Sequence, residues 1–340
     1  MEGEYPRGFS WKTLVLQMGR IGEIIGIDFV ISTGDNFYGS GLKNEHDPKF
    51  TESFTRIYTA KSLQRQWYIL GNHDYRGNVI AQLSPALKKR DNRWLCWRSF
   101  VVDAGVAEIF FVDTTPFVLS YWDPNSSVKH DWRDLALNKS SATWKVVVGH
   151  HGIKSAGYHG DTAELLMHLL PVLQANDVDF YVNGHDHCLQ HIEDTNSKLQ
   201  FFTSGAGSKA WRGYTGGLKR PDLKFYYDGQ GFMSVQLGHS NANISFHDIN
   251  DKDQGLDVIS EGLDTLKDMA QDMNEDINIQ DGCGTKFLLC RTRLFLGALF
   301  QYKSLDESSF TSGIMEVFEP ATRVAAPALK PAIKFFWLFC

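Results

Sequence analysis

The chain has 340 residues, 43% of them hydrophobic and 13% aromatic, which excludes a disordered chain and leaves room for one large domain or two. A formal net charge of −6 provides no basic footprint for nucleic acid. Five widely spaced cysteines make neither a zinc cluster nor a dense disulfide framework. No segment reaches the roughly 20 apolar residues that span a bilayer; the nearest, 287–300, is interrupted by Arg291 and Arg293. Residues 1–10 are polar and lack the apolar stretch of a secretory signal.

In chain order, Leu14, Leu16, Met18, Ile21, Ile24 and Ile25 fall at helical spacing and predict a helix over Trp11–Ile25 that packs on a sheet. Residues 27–33 predict a strand that stops at Gly34-Asp35-Asn36-Phe37-Tyr38, and a loop and a helix over 51–58 follow. A second strand, 66–70, stops at Gly71-Asn72-His73-Asp74, and the run Ile109-Phe110-Phe111-Val112 predicts a third, ending at Asp113. After polar residues 121–142, strand 144–148 runs into Gly149-His150-His151. A helix over 165–176 precedes strand 178–183, which ends in Gly184-His185-Asp186-His187. Residues 199–203 predict a strand leading into Ser204-Gly205-Ala206-Gly207-Ser208. Residues 231–237 and 243–249 alternate apolar and polar, as half-exposed antiparallel strands do. From Asp253 the composition turns helical and charged, and beyond Asp281 there is no coherent period.

Four apolar strands thus end at a glycine, and each glycine is followed at once by a residue able to bind a metal. In open α/β sheets, sites form outside the carboxyl ends of strands, where the loops diverge. Asp35 is a hard anion suited to bridging two cations. Tyr38 is a useful ligand only for an ion acidic enough to deprotonate a phenol, which points to Fe(III). Asn72 supplies a neutral oxygen, and His150, His185 and His187 supply imidazoles. Such mixed ligation suits iron beside Zn, Mn or Fe(II), and two ions about 3.5 Å apart activate water and clamp a phosphoryl oxygen. Singly, each residue has a structural reading: Asp35 and Asn72 as turn residues, Tyr38 as a loop aromatic, His150 and His151 as core histidines. Their recurrence in one position, directly after a strand-ending glycine, is what argues for a site.

These four motifs, together with Asp113-Thr114-Thr115-Pro116-Phe117, Ile153-Lys154-Ser155-Ala156-Gly157 and Asp228-Gly229-Gln230-Gly231-Phe232, resemble the metallophosphoesterase signature in its purple acid phosphatase form. The resemblance covers residues 11–249 and is closest to the small plant enzymes. It implies an α/β fold, a four-layer sandwich of two mixed β-sheets flanked by helices. It implies hydrolysis of small phosphate monoesters at acid pH by a binuclear Fe(III) and divalent-ion centre. By resemblance Asp35 bridges the metals, Tyr38 and His187 hold Fe(III), and Asn72, His150 and His185 hold the divalent ion. His73 and His159 match outer-sphere histidines that orient phosphate and protonate the leaving group. A secreted or vacuolar glycoprotein is also implied, and 125–127, 138–140 and 243–245 are glycosylation sequons. Mn-dependent phosphodiesterases share most of these motifs but have no need of Tyr38.

The chain departs from this family at both ends. The family opens with a strand ending in Asp-x-Gly whose aspartate binds Fe(III), whereas the only aspartate upstream of Gly34 is Asp28, at the start of its own strand. The first strand is therefore expected to be missing, with its neighbour unpaired on one side and one iron ligand lost, which predicts weak iron binding and hydrolysis far below that of an intact relative. Toward the other end, Leu256, Ile259, Leu263, Leu266, Ala270, Met273 and Ile277 step by threes and fours up to Gln280. Residues 253–280 resemble the first half of the SNARE motif of a plant Qc-type syntaxin. That predicts a SNARE-like helix with a weak helical partner, and the alternative function, a non-catalytic interaction protein, rests on it. A solvated helix packed on the phosphatase body would show the same spacing. Residues 281–340 are expected to have little defined structure.

Overall fold

A computed structural model describes residues 11–121, 137–249, 322–325 and 332–338; the SNARE-like stretch lies outside the described residues. The chain enters through the helix Trp11–Ile25, with the bounds expected from its apolar spacing. Strands β1 (Phe29–Ser32), β2 (Gln66–Tyr68), β3 (Trp94–Cys96), β4 (Ser99–Asp103), β5 (Ala107–Val112), β6 (Trp144–Val148) and β7 (Phe180–Asn183) follow. After them come β8 (Leu189–Glu193), β9 (Gln200–Ser204), β10 (Leu223–Tyr227), β11 (Gly231–Leu237), β12 (Ala242–Asp248), β13 (Thr322–Ala325) and β14 (Ile333–Leu338). They form a six-stranded sheet, β12-β11-β14-β1-β2-β3, and an eight-stranded sheet, β10-β8-β9-β7-β6-β5-β4-β13.

The four layers follow from side chains alternating across each strand. On one face of β1, Val30 joins Leu14, Val15 and Met18 of the first helix in a buried core with Tyr68 and Phe336. On its other face, Phe29 stacks on Phe335 at 4.8 Å. In the second sheet, Tyr181, Val147 and Phe110 meet Leu165, Leu169 and Leu173 on the outside, while Phe180 stacks on Trp144 at 5.5 Å. Strands β1 and β7 are buried throughout, which is why their sequences read as unbroken apolar runs. The parallel neighbours β14-β1-β2-β3 and β5-β6-β7-β9 bring the carboxyl ends of β1, β2, β6 and β7 toward the motif residues.

The expected strands over 27–33, 66–70 and 178–183 are shorter, at Phe29–Ser32, Gln66–Tyr68 and Phe180–Asn183, and two expected helices differ in form. The helix expected over 51–58 is a short α-turn, Pro48–Phe50, that continues as a π-helix over Thr51–Thr55. The helix expected over 165–176 is two helices, Ala163–His168 and Leu170–Ala175. Pro171 sits in the first turn of the second helix, where its missing N–H is tolerated.

The tail corrects a larger expectation. β1 is not left open on one side: β14 lies between β11 and β1, parallel to β1, pairing Phe29 with Phe335 and Ser32 with Leu338. On its other edge it is antiparallel to β11. The N–H of Asp28 donates to the carbonyl of Lys334 at 2.6 Å, and the N–H of Lys334 donates back to Asp28 Oδ2 at 2.9 Å. Asp28 therefore anchors the C-terminal strand, away from the motif loops. Residues 281–340 are not wholly without structure either, because β13 pairs in parallel with β4 and β14 fills the position expected to be vacant.

Candidate metal centre

The loops after β1 and β2 are held together before any ligand is considered. Gly34 has φ +99°, and a Cβ there would sit 2.6 Å from His150 Nδ1, so both its conformation and its neighbours demand glycine. A side chain at Gly71 would run into Asp35. Asp74 is fully buried. Its carboxylate accepts from the N–H groups of Gly71 (2.9 Å), Asn36 (3.2 Å) and Phe37 (3.3 Å), and from Gln82 Nε2 (2.9 Å). Burial, reinforced by the nearby charge of Asp35, pushes the Asp74 carboxyl up to about 6. Asp35 and His185 both carry positive φ, +53° and +65°, a region that non-glycine residues enter at a cost and that clusters at functional sites.

Six side chains converge where these loops meet. His150 Nε2 lies 3.0 Å from Asn72 Oδ1, 3.2 Å from His185 Nδ1 and 3.5 Å from Asp35 Oδ1. Tyr38 Oη lies 3.3 Å from His187 Nε2. Asp35 Oδ1 also accepts the N–H of His73 at 2.8 Å, so this carboxylate faces the histidine and asparagine group directly. His150 Nδ1 donates to the carbonyl of Thr33 at 2.7 Å, and His187 Nδ1 donates to the carbonyl of Lys209 at 3.0 Å. Each backbone acceptor leaves Nε2 as the lone-pair nitrogen, the arrangement found behind ligating imidazoles.

Burial keeps these rings neutral. It lowers His150 to about 4 and His187 to about 3, and holds His185 well below its ordinary range. Burial also raises the Asp35 carboxyl to about 6, against the opposing pull of His73. Neutral imidazole nitrogens, an amide oxygen, a phenol and a carboxylate facing one another at 3.0–3.5 Å have more acceptors than donors, and a cation resolves that imbalance. The donor set fits bound metal.

The two remaining sequence-derived residues flank this cluster. His73 is half-buried; its Nδ1 lies 2.7 Å from the carbonyl of Gly39 and its Nε2 4.0 Å from Asp35 Oδ2. His159 is exposed, with its ring 3.9 Å from that of His185 and its N–H donating to Asp186 Oδ1 at 2.8 Å. All eight sequence-derived site residues are thus brought to one place.

His151 was given no role by sequence, yet His150, His151 and His185 each offer a ring nitrogen within 4.8 Å of the others. Thr114 Oγ1 accepts the N–H groups of His150 and His151, both at 3.1 Å. Its own proton therefore goes to His151 Nδ1 at 3.0 Å, leaving His151 as the Nε2–H tautomer and a poor ligand at that nitrogen. Its Nε2 has no hydrogen-bond partner among the described residues. The doubled histidine after Gly149 was its only sequence signal.

The calcineurin-like phosphoesterase model, Metallophos, matches residues 8–189. Purple acid phosphatase 3 of Arabidopsis thaliana is 56% identical over 268 residues, covering 73% of this chain and 73% of that protein. Purple acid phosphatase 17 of the same plant is 55% identical over 268 residues, covering 73% and 79%. GAP50, the anchor in the inner membrane complex of Plasmodium, superposes with a TM-score of 0.61 at 23% identity over 79% of this chain and 91% of that one, a likeness of fold alone. By sequence and by fold, the chain belongs to the purple acid phosphatases, a metal-dependent hydrolase family within the calcineurin-like phosphoesterases.

Proposed function

We propose that the chain hydrolyses small phosphate monoesters at acid pH, using a binuclear centre of Fe(III) and a divalent ion, Zn, Mn or Fe(II). The observation that carries this reading is that Asn72 and His185 face His150, Tyr38 faces His187, and Asp35 reaches both His150 and Tyr38. Asn72, His150 and His185 would hold the divalent ion, Tyr38 and His187 would hold iron, and Asp35 would serve both. When bound, the ions supply positive charge that lowers the pKa of water and neutralises phosphoryl oxygens.

The protein's own groups do the rest. His73 and His159 flank the cluster and can hydrogen-bond phosphate oxygens, and a protonated imidazole can pass its proton to the departing alkoxide. The half-buried ring of His73 is oriented by the carbonyl of Gly39, whereas exposed His159 can reach a leaving group that extends toward solvent. No helix among the described residues is long and apolar enough to cross a membrane.

Colour tests the iron assignment. A Tyr38 phenolate on Fe(III) produces a purple charge-transfer band, so the purified chain is expected to be purple and Tyr38→Phe colourless with its iron retained. A colourless wild-type protein carrying full iron would rule the assignment out.

Acid tolerance is a second expected outcome. Protons compete for an imidazole only below its own pKa, and His150 and His187 sit at about 4 and about 3 rather than the ordinary 6.5. The ring NMR signals of His150 and His187 in the metal-free chain are therefore expected to stay those of neutral imidazole from pH 7 down to pH 5. Protonation of either ring between pH 7 and 6, where a free histidine begins to protonate, would contradict it.

A further inference from the structure

Phosphate chemistry makes no use of the aromatic rings that border this centre on one side. Trp211 lies flat on His187, with ring centroids 4.4 Å apart and planes 11° from parallel, and it leans on His159 at 5.1 Å. Tyr158 meets Trp211 edge-on at 5.2 Å, His159 at 5.6 Å and Tyr214 at 5.7 Å. Tyr158 comes from the loop after β6 and Trp211 and Tyr214 from the loop after β9, so two carboxyl-end loops build one continuous rim. Tyr158 leaves 66% of its surface in water.

Folding leaves most of this ring in water, and its inner edge touches a histidine that flanks the metal cluster. A phosphate bound there directs its leaving group either into bulk water or across this rim. Aromatic faces attract planar rings through stacking, with little dependence on the ring's identity. We infer that Tyr158 and Trp211 form a stacking platform for the leaving group, so that the centre favours phosphate monoesters bearing a planar ring near the phosphate, a nucleobase or an aryl group.

This inference rests on the proposed phosphatase reading for where the phosphate sits, and the test separates the two. Adenosine 5′-monophosphate and ribose 5-phosphate both carry the phosphate on the primary 5-hydroxyl of a ribose and differ at C1, where one bears adenine and the other a hydroxyl. The wild-type ratio of their kcat/KM values is expected to be about tenfold in favour of the nucleotide. Tyr158→Ala should bring it within about twofold, and Tyr158→Phe should restore it. Any effect of the substitution on the shared machinery cancels in the ratio.

Calorimetric Kd values for the methylenephosphonate analogues of the same pair, which cannot be hydrolysed, read the platform without turnover. Phenylphosphonate against methylphosphonate reads the aryl arm in the same way. A preference in either arm that Tyr158→Ala abolishes supports the platform, even if neither ester is turned over, in which case the reaction reading fails alone. Wild-type ratios near one in both arms, or a preference that Tyr158→Ala leaves intact, overturn the platform while leaving the reaction reading untouched.

Discussion

Deleting residues 333–340 is expected to abolish the folded state rather than trim a tail. β14 is an interior strand, hydrogen-bonded to β11 on one edge and β1 on the other. Ile333, Phe335, Phe336 and Trp337 are all buried, with Phe335 and Phe336 at 0% exposure. At about 1.5–3 kcal/mol per large apolar side chain, roughly 6–12 kcal/mol of burial is at stake, comparable with the ~5–15 kcal/mol net stability of a whole domain. The two strand edges opened by the deletion would also invite aggregation. The deleted chain is expected to elute as aggregate in size-exclusion chromatography and to show no cooperative melting transition. Trp337→Ala is the graded version, costing about 3–5 kcal/mol. A truncated chain that stays monomeric and melts near the wild-type temperature would show that β14 is not part of the native sheet.

The second large effect concerns the division of ligands. Asn72→Ala and His185→Ala are each expected to release the divalent ion while retaining most of the iron, because both donors face His150. His187→Ala, which removes the partner of Tyr38, is expected to do the reverse, and Asp35→Ala to lose both ions. Turnover of p-nitrophenyl phosphate should fall by more than about a hundredfold in each, since even partners behind a ligand cost 10–100-fold. On the proposed assignment the iron side has only Asp35, Tyr38 and His187 among the described residues, against four donors on the other side. A trivalent ion depends more on anionic ligands, so iron is expected to be the more easily lost ion in the wild type. Metal analysis reads all of this. Equal loss of both ions from Asn72→Ala, His185→Ala and His187→Ala, in variants whose melting shows them folded, would dissolve the two-group assignment.

The family and the candidate ligands were legible in the sequence. Each strand end carries its message within about five residues: an apolar run, a glycine, then a donor whose hardness and charge say what it can bind. Such signals are local, which is why Asp35, Asn72, His150 and His185 could be named before any geometry was known. Within each sheet a general rule also applies, that parallel strands present their carboxyl ends on one side; that β1 and β2 of one sheet meet β6 and β7 of the other is decided by packing.

Partnership was decided only in three dimensions. Nothing in Ile-Lys-Phe-Phe-Trp-Leu says that it belongs beside β1, 306 positions away along the chain at the Lys334–Asp28 contact. Strands pair through backbone groups that every residue carries, and a six-residue apolar run has no period long enough to name a neighbour. The same holds for His151, whose tautomer is set by Thr114 from another strand's end, and for Tyr158 and Trp211, which become a rim only when two distant loops meet. Chemical identity is written residue by residue; adjacency is the outcome of packing the whole chain.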